Sequence, residues 1–343
     1  MNCAKVRQVG CATILALSVL TLCNCSHVTQ SGAGDSNQNA KRLPLADVAY
    51  PANEPESKTT KKQQSRNRQS QKTGRQSAKP RPGEVRIAAY NVLFGTWAEP
   101  ERIGEMFKPY RLDVIGFSEV PAGDWTARVG RVLGMTHVYV GKVASANHKD
   151  KYKSILSRTP LSGKHEVSVE GSGWSPATMV GAKTTVRGVS LLVYSTHIPE
   201  RPTNAKSADG SAAAFIAKSI IPKIKAKNFV IAGDLNNVPG DPALNRLEGK
   251  GMRSAWSDLT LNDRLLSTHL HIETGKESGL IDHIYFNKSS GAKAVQGGVI
   301  YNAFNPPFID KKMSWAKTHW VQYGKPLSDH RPVWAVLRFG GTR

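Results

Sequence analysis

The sequence predicts an α/β chain of the α+β kind, built on mixed β-sheets with helices outside them. Three observations carry this. Ten strand-like apolar segments outnumber four helical patterns. Several neighbouring strand segments have no helix between them, whereas a doubly wound parallel sheet needs a crossover after each strand. The chain has 343 residues, 39% of them hydrophobic, enough for a substantial core in one large domain or two small ones.

The strand segments lie near 86–93, 113–118, 136–141, 153–157, 165–169, 177–186, 189–196, 228–233, 281–286 and 332–338. Each is a short apolar run bounded by polar or turn-forming residues. Helical patterns lie near 99–109, 123–133, 207–226 and 242–248. The third is the clearest: Ala213, Phe215, Ile216, Ile220, Ile221 and Ile224 form one apolar stripe, with Lys218, Lys223 and Lys225 largely off it. Such a stripe belongs in a core. No internal repeat is apparent.

The strands end in an unusual way. The first run exits at Tyr90-Asn91, the second at Glu119, the seventh at His197. The run 228–233 delivers Gly-Asp-Leu-Asn-Asn at 233–237, Asp282-His283 opens the next strand, and Ser-Asp-His-Arg-Pro at 328–332 precedes the last. Any strand must end in something polar, but six such exits carrying Asn, Asp, Glu or His imply a shared rim. Carboxylates, an amide and imidazoles gathered there suit metal-assisted phosphoester hydrolysis: a carboxylate holds a hard cation or deprotonates water, and an imidazole steadies a phosphoryl oxygen.

Net charge is +21, and residues 85–343 alone carry 34 Lys/Arg against 21 Asp/Glu, a net +13. The basic balance favours an anionic macromolecule as partner, nucleic acid first among them. Residues 1–25 read as a signal peptide: Lys5 and Arg7 precede an uncharged apolar run at 9–22, too short to span a bilayer comfortably. All four cysteines (Cys3, Cys11, Cys23, Cys25) fall in this segment, so the remainder has no disulfide chemistry. Cys25, or Cys23, is a candidate for bacterial lipidation, although Leu22 and Asn24 are larger than a lipoprotein signal prefers; simple cleavage is the alternative. Residues 26–84 read as a basic linker, poor in aromatics and unable to bury enough apolar surface to fold. The expected location is the bacterial cell envelope or the extracellular space, with membrane association through the N-terminus.

The ordered segments Tyr90-Asn91-Val92, Ser118-Glu119-Val120, 155–160 (Ile-Leu-Ser-Arg-Thr-Pro), Ser195-Thr196-His197, 233–236, Ile281-Asp282-His283 and 328–332 resemble the endonuclease/exonuclease/phosphatase superfamily, in its deoxyribonuclease/sphingomyelinase-like branch. The resemblance covers about Arg86 to Arg338. It implies a four-layer sandwich of two mixed β-sheets flanked by helices, over residues 85–343. It also implies roles. Asn91, Glu119 and Asp329 resemble the metal ligands, for Mg2+ with Mn2+ or Ca2+ as alternatives. Asp234 resembles the residue that prepares water, and Asn236 a phosphate donor. His330 resembles the histidine that binds the phosphoryl oxygen, and Asp282 the acceptor that fixes its tautomer. His197 resembles a phosphate-binding or general-acid histidine that abasic-site repair relatives typically lack. Tyr152 and Lys153 stand where relatives carry a supporting residue and are candidate substrate contacts; His283, on the opposite face, reads as structural. Residues 301–323 mix aromatics with bases and suit base stacking, a lipid surface or plain packing.

The function expected is an exported, magnesium-dependent phosphodiesterase, a nuclease on DNA or RNA, with no obligate protein partner. Two alternatives stand beside it: a sphingomyelinase-like phospholipase, and a non-catalytic binding protein that keeps the fold as scaffold.

Overall fold

The computed structural model describes residues 79–199, 208–259, 267–270, 277–300 and 327–340. The expected leader, the linker up to residue 78 and the aromatic–basic stretch 301–323 lie outside the described residues. Two six-stranded sheets dominate. The first runs β13 (Lys293–Val299), β14 (Val333–Arg338), β1 (Glu84–Asn91), β2 (Val114–Val120), β4 (Tyr152–Ser157) and β3 (His137–Val140). The second runs β5 (Ser162–Val169), β6 (Ala177–Val186), β7 (Val189–His197), β8 (Phe229–Asp234), β12 (Asp282–Asn287) and β9 (Met252–Ser254). A small ribbon pairs β10 (His269–Leu270) with β11 (Glu277–Gly279). Both large sheets are mixed: β1–β2 and β7–β8 are parallel, and their other pairings are antiparallel.

Three separate apolar cores define four layers. Between the sheets, Ile87, Ala89, Val114 and Ile155 of the first meet Val180, Val193, Val230 and Ile284 of the second. The outer face of the first sheet (Ala88, Tyr90, Phe117, Leu156) is covered by helices α1 (Pro100–Phe107) and α2 (Trp125–Leu133) through Ile103, Phe107 and Val129. The outer face of the second (Met179, Tyr194, Ile231, Tyr285) is covered by α3 (Ala212–Phe215) and α4 (Pro242–Gly249). Central strands buried on both faces explain why these segments read as continuous apolar runs. A short α5 (Ala255–Asp258) follows β9.

The helix expected over 207–226 is not one α-helix. After α3 the chain widens into a π-turn at Ile216–Ile220 and tightens into a 3₁₀ turn at Ile221–Lys223. Pro222 has no N–H to donate and its ring crowds the preceding turn, which stops the helix there. The apolar stripe still reaches the core, because Ala213, Ile216, Ile220 and Ile221 are all buried. Among the described residues no helix is long and apolar enough to cross a membrane.

Candidate active site

Both parallel pairs end at the same edge of the sandwich. Asn91 is the last residue of β1 and lies in register with Ser118 of β2. In the other sheet His197, Asp234 and Asp282 share one register level across β7, β8 and β12. Asp329 and His330 arrive just ahead of β14. Asn91, Glu119, His197, Asp234, Asp282, Asp329 and His330 are all buried.

Two local backbone devices aim these groups. The β2–β4 register slips between Phe117 and Val120, and within that bulge Glu119 adopts φ 53°. A left-handed backbone is costly for a non-glycine residue, and a bulge turns a side chain away from the sheet's regular alternation. Beyond β8, Asn236 adopts φ 50°, which its short amide side chain tolerates. Its own N–H donates to Asp234 Oδ1 at 2.9 Å.

The polar groups form one network across the two sheets. Asn91 Nδ2 donates to Asp234 Oδ2 at 3.0 Å. His197 Nε2 lies 3.5 Å and His330 Nε2 3.7 Å from the same oxygen. His330 Nδ1 donates to Asp282 Oδ2 at 2.8 Å. The Asn236 amide nitrogen donates to Ile198 O at 2.9 Å and lies 3.3 Å from His197 Nε2. His197 Nδ1 is 3.8 Å from Glu119 Oε1. The Ser328 hydroxyl lies 2.8 Å from Asn91 O and 3.2 Å from Asp329 Oδ1, tying the last loop to the first strand.

The two imidazoles are driven apart in charge. Burial, with the cations of Lys151, His330 and Lys153 around it, pushes His197 well below the usual histidine range and keeps it neutral. Burial would lower His330 too, but Asp282 and then Asp234 overcome it and hold the ring protonated. Asp234 is raised, chiefly by burial, although His330 opposes the shift. Asp329 goes the other way: burial alone would raise it, but the hydrogen bond with His269 and the charge of His330 hold it lowered, hence ionised. A raised carboxyl beside a protonated imidazole is the arrangement expected of an acid–base pair.

By type, three of the donors suit a hard divalent cation. Asn91, Glu119 and Asp329 offer one amide and two carboxylate oxygens, the ligand class magnesium takes while keeping several waters. Among the described residues, Lys151 Nζ pairs with Glu119 Oε1 at 3.3 Å. A positive charge therefore already belongs at this carboxylate. Two other groupings bring His and carboxylate atoms within reach of one ion, Asp234–Asp282–His330 and His269–Asp329–His330.

Tyr152 and Lys153 are placed differently from the expectation of a substrate contact. Lys153 is fully buried, and its ammonium donates to Val143 O at 2.8 Å and to Ser145 Oγ at 3.3 Å. Burial drops it to about 8. Strand alternation puts this lysine on the inward face of β4, the face of Ile155. Tyr152 is half-buried against the core beneath α1 and α2. His283 is buried and bonds Asn237 O at 2.7 Å, a structural place. Three neighbours of the network gave no signal in the sequence: Lys151, Trp174, whose ring lies 4.9 Å from His197, and His269, 4.7 Å from His330. All come from loops or from a two-residue strand, where no periodicity marks a position.

The model of the Endonuclease/Exonuclease/phosphatase family matches residues 88–330. A search of curated proteins by sequence gave no match. Among solved structures, an endonuclease/exonuclease/phosphatase family protein from Bacteroides thetaiotaomicron superposes with a TM-score of 0.56 at 15% identity, covering 76% of this chain and 100% of that one. The mannosyl-6-phosphatase of Bacteroides thetaiotaomicron VPI-5482 gives 0.54 at 15%, covering 74% and 100%. TDP2 from D. rerio, complexed with a single-strand DNA product, gives 0.53 at 14%, covering 74% and 98%. Identities this low speak to fold alone. The family match spans most of the chain and embraces every residue of the network from Asn91 to His330, and on that ground the chain belongs to the endonuclease/exonuclease/phosphatase family of phosphoester hydrolases.

Proposed function

We propose that this chain is an exported, magnesium-dependent phosphodiesterase that cleaves nucleic acid. The observation that carries the reading is the pair of cross-sheet bonds, Asn91 to Asp234 and His330 to Asp282, which join polar groups of the two sheets at one edge. Asp234, raised and buried, takes the proton of an attacking water. Asp282 holds the His330 ring, whose Nε2–H faces that spot and donates to a phosphoryl oxygen. Asn236 and neutral His197 add polar contacts to the developing negative charge. Asn91, Glu119 and Asp329 would hold the ion, which when bound supplies positive charge to the phosphate and the departing oxygen.

Net charge supports the nucleic-acid substrate, since +13 over residues 85–343 suits a polyanion. The TDP2 neighbour carries a DNA product, which is a statement about that protein. A phospholipid headgroup is the second reading and finds its support in the leader and its cysteines alone. Export rests on Lys5, Arg7 and the apolar run at 9–22. The deciding experiment is a substrate panel of DNA, RNA, sphingomyelin and sugar phosphates, run on the purified protein with and without Mg2+. Cleavage of nucleic acid that chelation abolishes and Mg2+ restores is the expected result. Hydrolysis of sphingomyelin with nucleic acid left intact would replace this reading with the second. Export is checked by cell fractionation, with Cys25→Ser and Cys23→Ser variants tested for loss of membrane attachment.

A further inference from the structure

Beside the network, two loops build something the reaction as described does not use. The Phe94 and His148 rings stack at a centroid distance of 4.7 Å and an interplanar angle of 22°. Lys151 Nζ lies 4.9 Å from the centre of the Phe94 ring and 3.3 Å from Glu119 Oε1. His148 is exposed, and Phe94 and Lys151 are half-buried. Nothing in the core needs this stack.

Its position relative to the site is fixed on both sides. Leu93 N donates to Asn91 Oδ1 at 3.1 Å, so the loop carrying Phe94 is anchored on a site residue. The other loop is a closed turn: Lys151 N donates to His148 O at 2.9 Å, and Ser145 N to Lys151 O at 3.0 Å. Ala146 N reaches across to Pro176 O at 3.0 Å. Both loops hold non-glycine residues in left-handed backbone, Leu93 and Phe94 in one, Ala146 and Asn147 in the other. Strain of this kind persists where surrounding structure enforces it, and it concentrates at ligand-binding loops.

We infer that Phe94, His148 and Lys151 form a subsite for a nucleotide flanking the scissile phosphate, the base stacking on the exposed His148 face and the neighbouring phosphate meeting Lys151. The inference deepens the nucleic-acid reading and rests on it. A planar aromatic stack with a cation at its side matches a base and its phosphate. Because a base must leave its own helix to use such a platform, the subsite selects single-stranded or frayed substrate over intact duplex.

The test uses short oligonucleotides with one cleavable phosphodiester, the other linkages being phosphorothioates that keep their charge. A single abasic residue, which retains the sugar, is walked one position at a time on either side of the cut. The wild-type protein is expected to lose about tenfold in kcat/KM at one flanking position, mainly through KM. His148→Ala is expected to lose about as much on the intact oligonucleotide and to show no added loss at that position. Phe94→Leu, which removes the support under the His148 ring, repeats the measurement independently. If the wild-type protein cleaves all the oligonucleotides equally well, or if the variants respond to the abasic residue as the wild type does, the subsite is wrong while the nuclease reading stands. If the wild-type protein cleaves no nucleic acid, the reading falls and the subsite with it.

Discussion

Asp234 and His330 hold opposite ends of one proton balance, and this fixes the sign of the pH dependence. In the proposed mechanism Asp234 must be ionised to accept a proton, and its carboxyl is raised, so activity is expected to climb as pH rises through that raised value. His330 in that mechanism must be protonated to donate, and it too is raised, so activity is expected to fall again only as pH passes its own, higher value. Asp282 is the strongest of the partners that raise His330. Asp282→Asn is therefore expected to move the alkaline limb of the kcat/KM profile toward lower pH, with the acid limb less affected. An alkaline limb that stays put would remove Asp282 from this role. Asp234→Asn is expected to lower kcat by about two to four orders of magnitude, measured on whichever phosphodiester the protein turns over. Glu119 and Lys151 make a second residue-scale prediction. The ammonium beside Glu119 would compete with a divalent cation held by that carboxylate. Titration calorimetry should show Mn2+ binding tightened several-fold in Lys151→Met and largely lost in Glu119→Gln. The residues of the network were legible in the sequence where a polar group closes an apolar run, as at Asn91, Glu119, His197 and Asp234. Lys151, Trp174 and His269 were not, because only tertiary packing brings their loops to the rim.

The elements were legible where burial on both faces makes a strand continuously apolar, and illegible where it does not. β13 has two consecutive glycines, a register shift and an exposed Val295, so its sequence carries neither alternation nor a run. β9 has only three residues. After α3 an apolar stripe survives the π-turn, so periodicity predicts one helix where Pro222 ends it. Gly233 shows what an element-scale constraint looks like. Its φ is 151°, and a Cβ built there would lie 2.0 Å from Thr196 O on the neighbouring parallel strand. Gly233→Ala must therefore push β7 and β8 apart just below His197 and Asp234. The expected cost is about 3 kcal/mol or more, combining overpacking with backbone strain, and urea denaturation checks it. A cost under about 1 kcal/mol would mean that the strands can slide to make room.

For the whole molecule, the decisive fact is how the site is divided. Asn91, Glu119, Asp329 and His330 come from the first sheet or the loop entering it, whereas His197, Asp234, Asn236 and Asp282 come from the second. The layer between the sheets therefore sets catalytic distances as well as stability. Gly116 lies in that layer, and a Cβ there would sit 3.1 Å from Ser195 Oγ of the opposing sheet. Gly116→Ala is expected to cost about 1–3 kcal/mol in stability. Activity at a temperature where the variant is fully folded should fall further than that loss explains, since small misplacements of reacting groups are costly. Activity unchanged in a folded variant would show that the sheets absorb the methyl elsewhere.

The bond from Asn91 to Asp234 and the bond from His330 to Asp282 both straddle that seam, so each half of the sandwich holds an incomplete reagent set. Chemistry begins only when the halves close on one another. Any wedge that pried the seam open by an ångström, whether a small apolar molecule or a passing thermal fluctuation, would silence the enzyme without touching a reacting atom.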